Sequence, residues 1–183
     1  MQPSRAPQGA LPWIGTLARL VTGGVWVVAG AIKLPDPYES ISAVRAYQAL
    51  PEAVVPLVGH LLPIVEVVVG VMLILGVLTR WAGLASAVLF AVFIVGIASV
   101  WMRGIEIDCG CFGGGGAKEG AMEDYPKEIA RDVGLLLASA WLVWRPRTRL
   151  AVDNLLFRSS ERAPERNEDG EERPQEEHAG QPG

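Results

Sequence analysis

The stretch that decides the fold is WAGLASAVLFAVFIVGIASVWM, residues 81–102. None of its side chains is charged. A helix rises about 1.5 Å per residue, so a segment of this length can cross a hydrocarbon layer about 30 Å thick. The segment therefore predicts a transmembrane helix and argues against a soluble protein.

A second apolar block, residues 54–78, lies directly before this helix. It carries one carboxylate, Glu66, near its middle. Only Thr79 and Arg80 separate the two blocks. We therefore expect the two helices to form a tight antiparallel hairpin.

Two further blocks lie toward the ends of the chain. Residues 13–34 form an apolar block that is interrupted by Arg19. Residues 133–144 are apolar but too short to span, and reach spanning length when the helix is extended back to about Pro126. The fold class is therefore predicted to be all-α: a polytopic membrane protein with a four-helix transmembrane bundle.

A cleaved signal peptide is the alternative for the first block, because Ala29-Gly30-Ala31 resembles a small-residue cleavage site. The charge-free part of the block is followed at once by Lys33 and Pro35. We take the block as the first transmembrane helix.

The connection over residues 33–53 contains a helical stripe. Four apolar or aromatic residues recur there at intervals of three: Tyr38, Ile41, Val44 and Tyr47. Tyrosines suit a membrane interface, so the stripe predicts a short helix that lies flat on the membrane surface. A solvated loop is the alternative.

The chain changes character outside the membrane domain, which is predicted over residues 13–145. Residues 1–12 predict a loose N-terminus, and residues 146–158 a basic juxtamembrane segment. Residues 159–183 hold eight acids and three arginines but no large apolar side chain, which predicts a disordered acidic tail. This tail accounts for the net charge of −4, and no basic face is left for nucleic acid.

Orientation in the membrane follows from the basic residues near the span ends. Their numbers are equal on the two sides, but Arg145, Arg147 and Arg149 form a dense cluster directly after the last span. We therefore expect a plasma-membrane protein with both termini in the cytoplasm. The loop after residue 102 would then lie outside, where disulfides persist.

That loop contains the sequence DCGCFGGGG, residues 108–116, with both cysteines of the chain. Cys109 and Cys111 are separated by Gly110, which allows the sharp bend that a bond between them requires. Such a short disulfide is strained, and strain makes it easier to reduce. The pattern favours a reversible redox pair over a structural disulfide.

Two other interpretations of the cysteine pair remain open. The thiols could be inert, or they could supply half of a metal site. A tetrahedral zinc site needs about four ligands, and the chain adds only His60 and His178, in an apolar run and in the tail. A metal site would therefore require a dimer, and we predict none within one chain.

Two charges fall inside the predicted spans. Glu66 lies at mid-span, and Arg19 lies about two turns into the first helix. Intramembrane charges are costly and usually face a partner or a cavity, so Arg19 and Glu66 are predicted to pair across the bundle. A proton-linked or quinone-linked role for the pair is the alternative to a packing role.

The order of these elements resembles a known family. The helix patterns RLVTGGVWVVAGAIKLPDP and LLPIVEVVVGVMLILGVLTR, then DCGCFGG, then IARDVGLLLASA, resemble the MauE family of methylamine utilisation, and more broadly the DoxX-like membrane proteins. The resemblance covers roughly residues 13–145. It implies a multi-pass bundle tied to the formation of methylamine dehydrogenase, whose small subunit is disulfide-rich. DoxX-like relatives imply quinone or thiol redox chemistry.

The positions that the resemblance carries over are Cys109, Cys111, Lys33, Glu66 and Arg131. Our leading hypothesis is a thiol–disulfide or quinone-linked oxidoreductase that helps exported disulfide-containing proteins mature. In this hypothesis Arg131 and Lys33 stabilise a thiolate, and a membrane quinone or a client protein exchanges electrons with the pair. The glycines would let the loop swing toward that partner. The rivals are a non-catalytic assembly factor and a small transporter that uses Arg19 and Glu66.

Overall fold

The computed structural model describes residues 11–110 and 114–144. The predicted N-terminal segment up to residue 10, the basic segment 146–158, the tail 159–183 and Cys111 lie outside these ranges. The described part is mostly helical, and its elements in chain order are α1 (Leu11–Lys33), α2 (Pro37–Ala46), α3 (Val55–Leu75), α4 (Thr79–Met102), β1 (Ile107–Asp108), β2 (Gly116–Ala117), a 3₁₀ turn (Ala121–Glu123) and α5 (Tyr125–Trp144).

The long helices pack into one bundle, with α1 against α3 and α4 against α5. Glycines allow the first of these contacts. A Cβ on Gly23 would lie 2.8 Å from the carbonyl oxygen of Gly70, and one on Gly30 would lie 2.7 Å from that of Pro63. The buried core draws on α1, α3, α4 and α5 and contains Trp26, Val69, Leu73, Ala82, Phe90 and Leu142.

Three helices in the described part of the chain are long and apolar enough to cross a membrane, namely residues 13–33 of α1, α3 and α4. Three of the predicted spans therefore have the required length and composition. Helix α5 has spanning length but carries four charged residues in its first two turns: Lys127, Glu128, Arg131 and Asp132.

A ladder of buried polar groups holds α5 in the bundle. The Trp26 indole N–H on α1 donates to Ser86 Oγ on α4 at 2.8 Å, and Ser86 Oγ lies 2.8 Å from Ser139 Oγ on α5. Ser139 in turn donates to the carbonyl oxygen of Leu135. Because buried hydroxyls need partners, this ladder favours one arrangement of the three helices.

The turn between α3 and α4 lies earlier than predicted. Gly76 ends α3 with φ +68°, and its N–H donates to the carbonyl oxygen of Met72 at 2.9 Å. A glycine in the left-handed region is a common helix terminator. Thr79 and Arg80, expected to form the link, are the first residues of α4.

Helix α2 confirms the short helix predicted between the first two spans. The Asp36 carboxylate caps its N-terminus by accepting from the N–H groups of Tyr38 and Glu39. The helix buries Ser40 and Ala43, whereas Tyr38 is 83% exposed. Of the predicted stripe, Tyr38 is exposed, whereas Ile41 packs against Gly59 of α3 and Tyr47 against Gly96 of α4.

Candidate functional site

The segment around Cys109 forms a small antiparallel hairpin. Strand β1 pairs with β2 in the register Ile107 to Ala117 and Asp108 to Gly116. Cys109 is the first residue of the loop between them. The Asp108 carboxylate accepts from the N–H of Gly110 at 3.1 Å, which fixes the start of the loop.

Helix α2 holds this loop from the side. Glu39 Oε1 accepts from the N–H of Gly114 at 2.8 Å, and the Tyr47 hydroxyl donates to the carbonyl oxygen of Cys109 at 2.9 Å. Arg103, just after α4, donates to the carbonyl oxygen of Tyr47. The described backbone on both sides of residues 111–113 is therefore anchored by Glu39 of α2 and by Tyr47, the residue that follows this helix.

Glycines bring the loop into direct contact with α2. A Cβ on Gly115 would lie 2.8 Å from the carbonyl oxygen of Glu39 and 2.9 Å from Ala43 Cβ. Gly110 has φ +67°, and a Cβ there would lie 2.8 Å from Ala43 Cβ. Gly110 was predicted to allow the bend between the cysteines, and the glycines of the loop were predicted to let it swing. In the structure Gly110 and Gly115 pack closely on α2, and the swing of the loop stays a prediction.

A chain of charges lies behind the hairpin. Lys118 Nζ lies 3.8 Å from an Asp108 oxygen and 3.6 Å from an Asp124 oxygen. The hydrogen bond from Lys127 holds the pKa of the Asp124 carboxyl below its usual range. Lys118 therefore lies beside the acid that precedes Cys109, whereas the sequence hypothesis named Arg131 and Lys33 as the cations that act on the cysteines.

Glu66 is paired, but not with the predicted partner. Lys33 Nζ lies 2.7 Å from Glu66 Oε1 and 3.0 Å from Oε2. The Lys33 side chain is 9% exposed and that of Glu66 is fully buried. Side chains on a helix point toward its N-terminus, so Lys33 at the end of α1 reaches back into the bundle.

The predicted Arg19–Glu66 pair is therefore wrong. Arg19 is buried on α1 and lies fourteen residues before Lys33. This separation corresponds to about 21 Å along the helix, which places Arg19 at a different depth.

Arg131 lies on α5, where its Nε donates to Asp132 Oδ1 at 2.9 Å. With Asp132 it lines a small cavity beside Trp26, Ala29 and Phe93. Its predicted influence on the cysteines stays a prediction.

A larger cavity of about 330 Å³ lies between α2, α3, α4 and the hairpin. Cys109 and Lys33 both line it, together with residues that include Tyr47, Pro63, Phe93 and Gly96. The cavity therefore brings together two of the predicted site residues, and the ion pair places Glu66 directly behind Lys33.

The model of the family described as methylamine utilisation protein MauE matches residues 11–145. The chain belongs to the MauE family. The match spans α1 to α5, so the hairpin, the Lys33–Glu66 pair and the larger cavity all lie within the MauE region. No curated protein and no solved structure matches the chain. The family and the apolar helices make it a multi-pass membrane protein.

Sequence reasoning missed the part that α2 of this MauE-family chain plays at the site. Glu39 and Tyr47 were read as parts of a surface helix, yet both bind the hairpin backbone. A signal for this contact was present in the glycines that follow Cys111, because glycine often marks close approach of two backbones.

Proposed function

We propose that this MauE-family protein is a membrane thiol–disulfide redox component that helps exported disulfide-containing proteins mature. The family name suggests a client that functions in methylamine utilisation. The observation that carries the proposal is the placement of Cys109, at the start of a hairpin loop whose backbone α2 fixes through Tyr47 and Glu39.

The exchange reaction balances without a further reagent. A client thiolate attacks one sulfur of the Cys109–Cys111 disulfide, which breaks that bond and forms a mixed disulfide. A second client thiolate then attacks the mixed disulfide. The client gains a disulfide, and Cys109 and Cys111 are left as thiols after taking up the two protons that the client thiols lost.

The charges around the hairpin support this role. Lys118 Nζ lies 3.8 Å from an oxygen of Asp108, so the negative charge next to Cys109 has a positive partner. An anchored backbone also presents the cysteine in a defined position, which makes attack by a partner sulfur more frequent.

Trapping tests the proposal. In a Cys111→Ser or Cys109→Ser variant the remaining cysteine can attack a client disulfide, which is the reverse of this exchange, but the second cysteine that would release the client is missing. One of the two variants is therefore expected to accumulate a reducible adduct with an exported protein. The Cys109→Ser/Cys111→Ser double variant is the control and forms no adduct. Normal client maturation in the double variant would overturn the redox role and favour a non-catalytic assembly factor.

The transporter hypothesis loses its geometric basis, because Glu66 pairs with Lys33 instead of Arg19. A buried, matched ion pair between two packed helices is sufficient to explain the intramembrane carboxylate.

We also propose that α5 is the fourth span, that the protein lies in the plasma membrane with both termini in the cytoplasm, and that the hairpin faces outward. The Trp26–Ser86–Ser139 ladder supports a span, because it places α5 beside α1 and α4 within the bundle. The basic cluster that begins at Arg145 supports the orientation.

Cysteine labelling checks this topology. After reduction, a membrane-impermeant maleimide is expected to label the hairpin cysteines in intact cells. The control is Val77→Cys, in the turn between α3 and α4, in a background without Cys109 and Cys111. It is expected to react only after permeabilisation. The reverse pattern would contradict the orientation.

A further inference from the structure

The cavity beneath the hairpin has the character of a small-molecule site. Its volume of about 330 Å³ lies within the range of ligand pockets, and its lining is mostly apolar. Apolar walls come from α3 and α4 and include Leu62, Val92 and Phe93. These helices have the length and composition of membrane spans, so the cavity suits a ligand that dissolves in hydrocarbon.

A few polar groups face this apolar space. Lys33 Nζ carries three N–H donors, and the two oxygens of Glu66 accept from it. Among the residues that the structure describes, the third N–H donor of this cavity-lining side chain has no acceptor. Nζ also lies 5.7 Å from the centre of the Phe93 ring, which keeps it beside the apolar wall. Cys109 lines the same space from the hairpin.

We propose that this cavity binds a lipid-soluble acceptor of the quinone class, with one ring carbonyl oxygen accepting a hydrogen bond from Lys33. The inference rests on the proposed redox function, because it supplies the oxidant that returns Cys109 and Cys111 to the disulfide. The thiol pair must be reoxidised after each exchange, and an acceptor in an apolar cavity must itself be apolar.

The electrons balance in this step. Two S–H bonds break and one S–S bond forms between Cys109 and Cys111. The two electrons and two protons pass to the two carbonyl oxygens of the quinone, which becomes the quinol. A quinone is therefore a chemical class that accepts both electrons and both protons while remaining soluble in the membrane.

Binding of decylubiquinone to the purified protein in detergent tests the site. The Cys109→Ser/Cys111→Ser variant serves as the reference, so that no turnover occurs. In this background Leu62→Trp places a larger side chain in the cavity. The control is Leu61→Trp, because Leu61 is 49% exposed and does not line the cavity. We expect saturable binding of decylubiquinone. Leu62→Trp is expected to raise the Kd by about tenfold or more, whereas Leu61→Trp is expected to change the Kd by less than about twofold.

Three results would overturn the inference: no saturable binding, equal effects of the two tryptophan substitutions, or full displacement of the probe by an equal concentration of phospholipid. The part played by Lys33 is tested with Lys33→Met/Glu66→Leu, which removes both charges. We expect binding weaker by about tenfold, and unchanged binding would overturn the hydrogen bond.

Failure of the inference and failure of the proposed function are distinguishable. Disulfide exchange between the wild-type protein and a reduced client peptide is measured without any quinone. Exchange without probe binding overturns the quinone site alone. Probe binding without exchange overturns the proposed function, and with it the role of the quinone as oxidant, but leaves the binding site.

Discussion

Replacing Glu66 with leucine is expected to destabilise the protein by about 3–5 kcal/mol, because Lys33 is left as a buried charge without its partner. Both oxygens of Glu66 accept from Lys33 in the structure, and the carboxylate is fully buried. Lys33→Met is expected to cost a similar amount by leaving the carboxylate unpaired. Thermal or chemical unfolding in detergent measures both losses.

The double variant Lys33→Met/Glu66→Leu separates pairing from packing. It leaves no buried charge, so we expect it to recover much of the stability that either single variant loses. The surface pair Arg45–Glu52 is the matched control, because its side chains are 51% and 69% exposed. Removing either member there is expected to cost about 0–1 kcal/mol. Additive losses at Lys33 and Glu66 would show that the two residues do not interact.

Gly115→Val is expected to detach the hairpin from α2 and to cost about 1–3 kcal/mol, as overpacking of a close contact does. Even its Cβ would lie within 2.9 Å of the backbone of α2, where neither Glu39 nor Ala43 can yield cheaply. Once detached, the loop would lose its contacts with Glu39 and Tyr47. We therefore expect reduced Cys109 to react faster with an alkylating reagent.

Gly134→Ala is the control for this substitution. A Cβ at Gly134 on α5 would have no atom within 4 Å, so the change is expected to be neutral or slightly stabilising. Gly115→Val with wild-type stability and an unchanged rate of Cys109 alkylation would contradict the docking of the hairpin on α2.

The sequence was sufficient to predict the helices that depend on hydrophobic length. Residues 81–102 lie in α4 and most of the block before them lies in α3, because a long apolar run has few alternatives to a spanning helix. The helix α2 was also foreseeable from its periodicity. The position of the turn between α3 and α4 could not be predicted in the same way. The sequence is compatible both with a helix end at Gly76 and with a link at Thr79.

The ion-pair partner of Glu66 could not be predicted from the sequence. The relative depth of α1 and α3 depends on the contacts of Gly23 with Gly70 and of Gly30 with Pro63, and no spacing along one sequence gives that offset. Arg19 and Lys33 are both cations on α1, so composition alone does not choose between them. The docking of the cysteine hairpin on α2 depends likewise on contacts between distant segments.

The proposed function requires that Cys109 and Cys111 form a reversible redox pair. Redox titration of the purified wild-type protein in detergent tests it most directly. Structural disulfides of secreted proteins typically have potentials below about −300 mV, whereas labile and catalytic ones are more oxidising. We predict a single two-electron transition with a midpoint above about −300 mV. A midpoint below about −300 mV, or no disulfide at any potential, would contradict the redox account.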